Sequence, residues 1–287
     1  MRRLIVNADD FGLTAGVNRA IAEAHTGGIV TSATAMANGP AIAEVAELAK
    51  SAPKLSIGCH VVLVDGTPAL PLANIPSLIA DKHSTCFRPS LGQFALKALT
   101  GGIDEKEIET EATAQIRKLQ ATGISVSHFD THKHTHMFPH VLRPLLRAAQ
   151  ACGVRALRNP FEPLRFAHLT ARPGFWKRWA EVKVLHTFAA QFKRAVASAG
   201  LLTTDGTVGI WATGALDESL FRFIVENLSE GTWEFVCHPG YNDAQLQAAR
   251  TRLLASREKE LQLLTSTATR EILARNGVEL ISYRDLT

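Results

Sequence analysis

A run of histidines, His128-Phe129-Asp130-Thr131-His132-Lys133-His134-Thr135-His136-Met137-Phe138-Pro139-His140, constrains this chain more than any other stretch. It holds five of the eleven histidines, mostly on alternate positions. In an extended strand, side chains at i, i+2 and i+4 share a face. His128, Asp130 and His132 are therefore expected to point the same way, with His134 and His136 continuing the row past the strand's end. The preceding Ile124-Ser125-Val126-Ser127 is strand-like and Phe138-Pro139 opens a helical pattern. The cluster thus sits where a strand gives way to a helix, the place where α/β enzymes keep their chemistry. An affinity tag would lie at a terminus and carry no aspartate in register.

The rest of the chain repeats that strand-to-helix grammar. Leu4–Ala8 reads as a buried strand closed by the turn Asp9-Asp10-Phe11-Gly12, and Thr14 as the cap of a helix bearing Val17, Ile21 and Ala24. Strands are expected at 29–35, 55–63, 154–158, 208–211, 233–238 and 278–281. Helices are expected at 41–50, 105–122, 138–152 and 243–265, and residues 65–89 read as a long loop rich in proline. Strands alternating with helices imply βα units and a parallel sheet, and about seven of them with polar strand ends favour a barrel, closed or nearly so, in a single domain spanning 1–287. At 287 residues and 46% hydrophobic, such a core needs no covalent staples. Cys59, Cys86, Cys152 and Cys237 show no paired spacing. The apolar run at Met1–Val6 ends too early, at Asp9-Asp10, for a signal peptide, and nothing approaches membrane-spanning length. The expectation is a reduced, cytoplasmic, soluble protein, with homodimerisation left open.

A net charge of +4 has no global pattern and argues little by itself; nucleic acid ranks last among partners because the basic segment is local and no recognised binding motif accompanies it. The charge is locally uneven. Within an excursion at about 160–200, the segment Leu164–Arg194 holds Arg165, Arg172, Lys177, Arg178, Lys183, Lys193 and Arg194 against the single acid Glu181, interleaved with Phe166, Phe175, Trp176, Trp179, Phe188 and Phe192. Such a pattern is either packed aromatics under solvated charges or a surface for lipid at the inner membrane face.

Asp9-Asp10, His60, the row from His128 to His136, and His238 all fall at strand ends. Two histidines and a carboxylate suit one divalent ion that keeps open positions, magnesium or zinc among the candidates. A second carboxylate could then take a proton from water and a histidine could protonate a leaving group. Consecutive aspartates point to opposite faces, so both reach one site only where the strand breaks into its turn. Cys59 and Cys237 are turned away by alternation and read as packing. Asp130, His134 and His136 are candidates to orient ligands, and Arg158 to orient them or touch substrate. The same residues leave open a metal-dependent phosphoesterase or a non-catalytic lipid- or metal-binding protein.

Val6-Asn7-Ala8-Asp9-Asp10-Phe11-Gly12, Gly58-Cys59-His60, Asp130–Pro139 and Cys237-His238-Pro239-Gly240-Tyr241 together resemble the motifs of the YdjC-like carbohydrate deacetylases, in the same order. The resemblance implies a distorted (β/α) barrel with a divalent metal that removes acetyl groups from N-acetylglucosamine-type sugars. By position it implies Asp10, His60 and His132 as metal ligands, Asp9 as general base and His238 as general acid. Thr131 stands where many members have serine, and Lys133 where many have histidine. Residues 61–71 are also similar to the branch associated with hopanoid biosynthesis, which implies an N-acetylglucosaminyl lipid as substrate.

Overall fold

The structure, a computed structural model, describes residues 1–81, 83–163 and 186–287. Among the described residues nine strands form one sheet: β1 (Arg2–Phe11), β2 (Ser32–Ala35), β3 (Ser56–Val61), β4 (His128–Thr131), β5 (Ala156–Leu157), β6 (Leu202–Thr203), β7 (Gly206–Val208), β8 (Gly231–Cys237) and β9 (Val278–Ile281). Every pairing between them is parallel, in the order β6-β5-β4-β3-β2-β1-β8-β7. Parallel pairing demands crossovers, and helices supply most of them.

The sheet curls into a roughly TIM-like barrel. β6 and β7 are separated only by Thr204 and Asp205, yet β6 pairs with β5 and β7 with β8. One pass of the chain therefore joins both ends of the sheet. β9 shares the β2 edge of β1, pairing at Arg2–Ile5 while β2 pairs from Asn7 onward. Among the nine strands of the described residues, the two-residue β6 is the one without a counterpart in the sequence reading.

Alternation along β1 sorts the interior from the outer core. Leu4, Val6 and Ala8 join the large apolar core under the helices, which includes Val17, Ile21, Leu119, Leu145 and Phe235. Ile5 belongs instead to a small cluster with Ala156, Ile281 and Tyr283 that fills the N-terminal end of the barrel. Above that plug the interior turns polar: His128 stacks on Tyr283 with ring centroids 3.7 Å apart, and its Nε2 lies 3.1 Å from Asn7 Oδ1. β1 is buried from Leu4 through Phe11, as a strand covered on both faces must be.

Several sequence expectations need correction. Residues 243–265 are two helices, Ala244–Ala248 and Ala255–Thr265, and Leu253 between them is buried. β5 and β7 are shorter than expected, and β6 carries no periodicity by which two residues could be found. The 65–89 region is a loop as expected, but a helix follows at Leu91–Leu99, capped by Ser90. Thr14 caps the first helix by accepting from Val17 N. Most of the basic aromatic excursion lies outside the described residues. Within them, Phe192 is buried against Phe161. Among the described residues no helix is long and apolar enough to cross a membrane.

Gly58 shows how tightly the interior is filled. A Cβ there would meet the His128 ring at 2.6 Å, and that ring is held between Tyr283 and Asn7. Gly58→Ala is expected to destabilise the fold by about 1–3 kcal/mol, the usual cost of overpacking, read from urea unfolding midpoints.

Candidate active site

Chemistry-bearing side chains converge on the C-terminal rim of the barrel. Asp9 and Asp10 lie at the end of β1 and His60 near the end of β3, while His132, Arg158 and His238 each follow a strand directly. Asp10 breaks the alternation of β1. Its φ is +70°, and the register of β1 on β2 shifts between Ala8 and Phe11. This bulge turns Asp10 back to the side Asp9 already faces, so two neighbouring carboxylates serve one cleft.

Three donors then meet. Asp10 Oδ1 lies 3.6 Å from His60 Nε2 and 3.7 Å from His132 Nδ1, and the two ring nitrogens are 3.3 Å apart. One carboxylate oxygen and two imidazole nitrogens within this span suit a divalent ion. Two of the three donors are held from behind. Asp130 Oδ1 sits 2.7 Å from His60 Nδ1, which leaves Nε2 as the ligand atom. Arg257 donates to Asp10 Oδ2 at 2.5 Å.

The electrostatics favour a cation there. Burial alone would lower the His60 pKa, but Asp130, Asp9 and Asp10 push it up to about 9: the pocket prefers positive charge at that point. His132 is pushed down to about 4, chiefly by burial, so its lone pair is free at neutral pH. Burial would raise the Asp10 carboxyl, but Arg257 holds it well below the usual range. Four carboxylates (Asp9, Asp10, Asp130, Glu234) face two guanidinium groups (Arg158, Arg257), a formal excess of two negative charges. The residues present fit the ion.

Beside this triad stands a second pair. His238 Nε2 is 3.8 Å from Asp9 Oδ2. The His238 backbone N–H donates to Glu260 Oε2 at 2.6 Å, and its Nδ1 is buried without a partner among the described residues. Arg158 grips Asp9 with both arms, Nη2 to Oδ1 at 2.6 Å and Nη1 to Oδ2 at 2.9 Å, and Asn7 and Thr34 also donate to Oδ1. Burial would raise the Asp9 pKa, but Arg158 overrides it and keeps the carboxylate charged.

Two expectations do not hold. The histidine row does not continue as a strand: after Thr131 the chain enters a tight helical turn, His132–Met137, with Lys133 and His134 left-handed at φ 57° and 53°. That turn sends His136 away from the ligands, fully buried with Nδ1 2.7 Å from Thr131 Oγ1 and its ring beside Phe192. His134 stays in the cleft wall, its Nδ1 without a partner among the described residues, and burial pushes it down to about 3. Arg158, considered for substrate contact, has no exposed surface to offer, because Asp9, Asp130 and Glu234 take up its guanidinium. Cys59 and Cys237 are buried in the outer core, and burial pushes both thiols up.

Sequence reasoning missed Arg257, Glu234, Thr34 and Glu260. Arg257 and Glu260 stand in Ser256-Arg257-Glu258-Lys259-Glu260, which reads as a solvated helix face. Glu234 had one signal, a lone acid in an otherwise uncharged β8.

The cleft above these groups has a volume of about 850 Å³ and is lined by Asp9, Asp10, His60, His132 and His238, with Asp65, Lys133 and Leu91 among its walls. Among the described residues, the four non-glycine residues at positive φ, Asp10, Asp65, Lys133 and His134, all line it. Such strain persists only where surrounding structure enforces it, and it concentrates at functional sites. Arg158→Met would leave three carboxylates without their cation. It is expected to cost about 3–5 kcal/mol, measured by denaturant unfolding.

The chain is similar to known proteins over nearly its whole length. The family model described as "YdjC-like protein" matches residues 3–275. A carbohydrate deacetylase of Geobacillus stearothermophilus is 34% identical over 285 residues, covering 99% of this chain and 98% of that protein. A carbohydrate deacetylase of Brevibacillus brevis is 32% identical, covering 99% of each. A crystal structure of an Enterococcus faecalis V583 protein named for cellobiose-phosphate cleavage superposes with a TM-score of 0.79 at 27% identity, covering 98% of this chain and 97% of that one. With the family model spanning nearly the whole barrel and both ends of the site, the chain belongs to the YdjC-like protein family.

Proposed function

We propose that this protein is a metal-dependent deacetylase that hydrolyses the acetamido group of an N-acetylglucosamine-type sugar. The observation that carries the reading is the juxtaposition, in one cleft, of the Asp10–His60–His132 donor set and the Asp9–His238 pair 3.8 Å apart. The names of the two curated relatives support the same reaction.

Asp10, His60 and His132 would hold a divalent ion, which when bound polarises a carbonyl and lowers the pKa of water. Arg257 and Asp130 keep two of these donors aimed, so no reorganisation is needed as ligands arrive. Asp9 takes the proton of the attacking water. Arg158 keeps Asp9 ionised between turnovers, so the carboxylate is free to accept that proton and quick to release it. The water oxygen bonds to the acetyl carbon, the carbon–nitrogen bond breaks, and His238 delivers a proton from Nε2 to the departing sugar nitrogen. The products are acetate and the sugar amine in its ammonium form, and the proton held on Asp9 passes back to His238, 3.8 Å away, which resets both groups. The chain from 1 to 287 acts as one deacetylase barrel domain, with the basic aromatic excursion at about 160–200.

The finer reading is a lipid-linked sugar such as an N-acetylglucosaminyl hopanoid, met at a membrane surface. It is supported by the cations and aromatics of 164–194 and by Leu91 at the cleft rim, with Leu96 and Leu99 exposed on the same helix. Wild-type protein is expected to bind anionic liposomes and Trp176→Ala/Trp179→Ala to lose that binding; no binding by the wild type removes the lipid reading.

Acetate release from N-acetylglucosamine, its β-linked oligomers and an N-acetylglucosaminyl lipid tests the main proposal. Release is expected to stop with chelator and return with added divalent metal, and Asp9→Asn to lower kcat by roughly 10²–10⁴. Absence of release from every substrate, with metal shown to be bound, overturns it in favour of phosphoester hydrolysis or a silent binding protein.

A further inference from the structure

One charged pair in the cleft takes no part in the chemistry above. Lys133 Nζ donates to Asp65 Oδ2 at 2.6 Å, and the two side chains are 30% and 16% exposed. Both line the cleft, Lys133 directly after His132 and Asp65 on the loop that follows β3. Both are held left-handed, at φ 57° and 54°, although neither is glycine. Asp65 N donates to Arg88 O and Phe87 N to Gly66 O, so Asp65 is braced against the segment leading to Pro89 and Leu91 on the same wall. The outer side of this loop hangs on Glu111, which accepts from Ala69 N and Leu70 N, and on Glu107, which accepts from Ser77 N.

What such a pair selects follows from its chemistry. An ammonium has three donors and a carboxylate two oxygens, so the single bond between them leaves donors on Lys133 and an oxygen on Asp65 for a ligand. A lone lysine would favour an anion and a lone aspartate a cation. A neutralised pair favours a neutral group that both donates and accepts, and a sugar hydroxyl is that group. Vicinal hydroxyls match two such neighbours, and the fixed backbone means little ordering is lost when they bind.

Resting on the reading of the cleft as an amino-sugar deacetylase site, we propose that Asp65 and Lys133 form the subsite that recognises the ring hydroxyls of the sugar. The pair touches substrate away from the reacting amide and sets specificity for a carbohydrate over other acetamides.

Asn tolerates a left-handed backbone, so Asp65→Asn and Lys133→Asn remove the charges without forcing the chain to move. The test compares kcat/KM for the β-1,4 dimer of N-acetylglucosamine with kcat/KM for N-propylacetamide, which has the amide without the ring. The ratio is expected to fall at least about tenfold in both variants, mostly through KM, the size expected for losing hydrogen bonds to charged groups. Lys133→Arg, which keeps the charge and donors, is expected to retain most of it. A pair that only ties the loop would lower both substrates together and leave the ratio fixed, and an idle pair would change neither; either result overturns the proposal. Calorimetric binding of the β-1,4 glucosamine dimer gives a readout that needs no turnover. Wild type that binds this dimer, with affinity lost about tenfold in both variants, supports the subsite even if no acetate is released, which separates it from failure of the deacetylase reading. Equal affinity in all three proteins, or no binding by the wild type, overturns it.

Discussion

The site depends first on one buried cation. Arg158 has no solvent contact, so its charge must be answered by protein, and three strands contribute: Asp9 from β1, Asp130 from β4 and Glu234 from β8. Losing any partner would leave charge stranded in a medium that solvates it poorly. The guanidinium thereby fixes the distance between opposite walls of the barrel. It also makes the two acids nearest the reaction behave differently. Asp9, though held by Arg158 on both oxygens, is kept ionised with Oδ2 3.8 Å from His238, whereas Asp130 is committed on one oxygen to Arg158 and on the other to His60. Glu234 is anchored in turn by the Tyr283 hydroxyl at 2.5 Å, so the order of the active end reaches down to the plug at the other end of the barrel.

Local backbone distortion is the second requirement. A regular strand would send Asp9 and Asp10 to opposite faces, one into the barrel and one under the helices. The bulge before Phe11 cancels that alternation for a single residue, and Arg257 fixes the result. The tight turn after Thr131 does the converse, presenting His132 to the ligand set while removing His136 from it.

Much of this was legible in the sequence because it follows from periodicity. The parallel barrel came from apolar runs separated by helical patterns, and the gathering of Asp9-Asp10, His60, the histidine row and His238 came from their shared place at strand ends, while the choice of Asp10, His60 and His132 among them came from the resemblance to the family. The sorting of Cys59 into the core came from alternation within β3. What stayed hidden depends on departures from periodicity or on partners distant in sequence. The histidine row looked like one extended face because nothing in its composition announces left-handed residues at Lys133 and His134. Arg257 looked solvated because its partner, Asp10, lies 247 residues away. Arg158 was visible as a strand-end residue, but its role could not be read, since it depends on three acids that only the curled sheet brings together.

The placement of β1 has a consequence for how the molecule assembles. β1 pairs on one edge with Ser32–Ala35, which follow soon after it in the chain, but its other edge waits for Gly231–Cys237, and its opening residues wait for Val278–Ile281 as well. Those contacts close most of the chain into a single loop, and folds dominated by such distant pairings form slowly. Until they form, a long apolar strand stands with an open edge in a partly synthesised protein, the kind of surface that invites association with other chains. The pairings of β1 with β8 and β9 are therefore the contacts whose loop closure costs this chain the most.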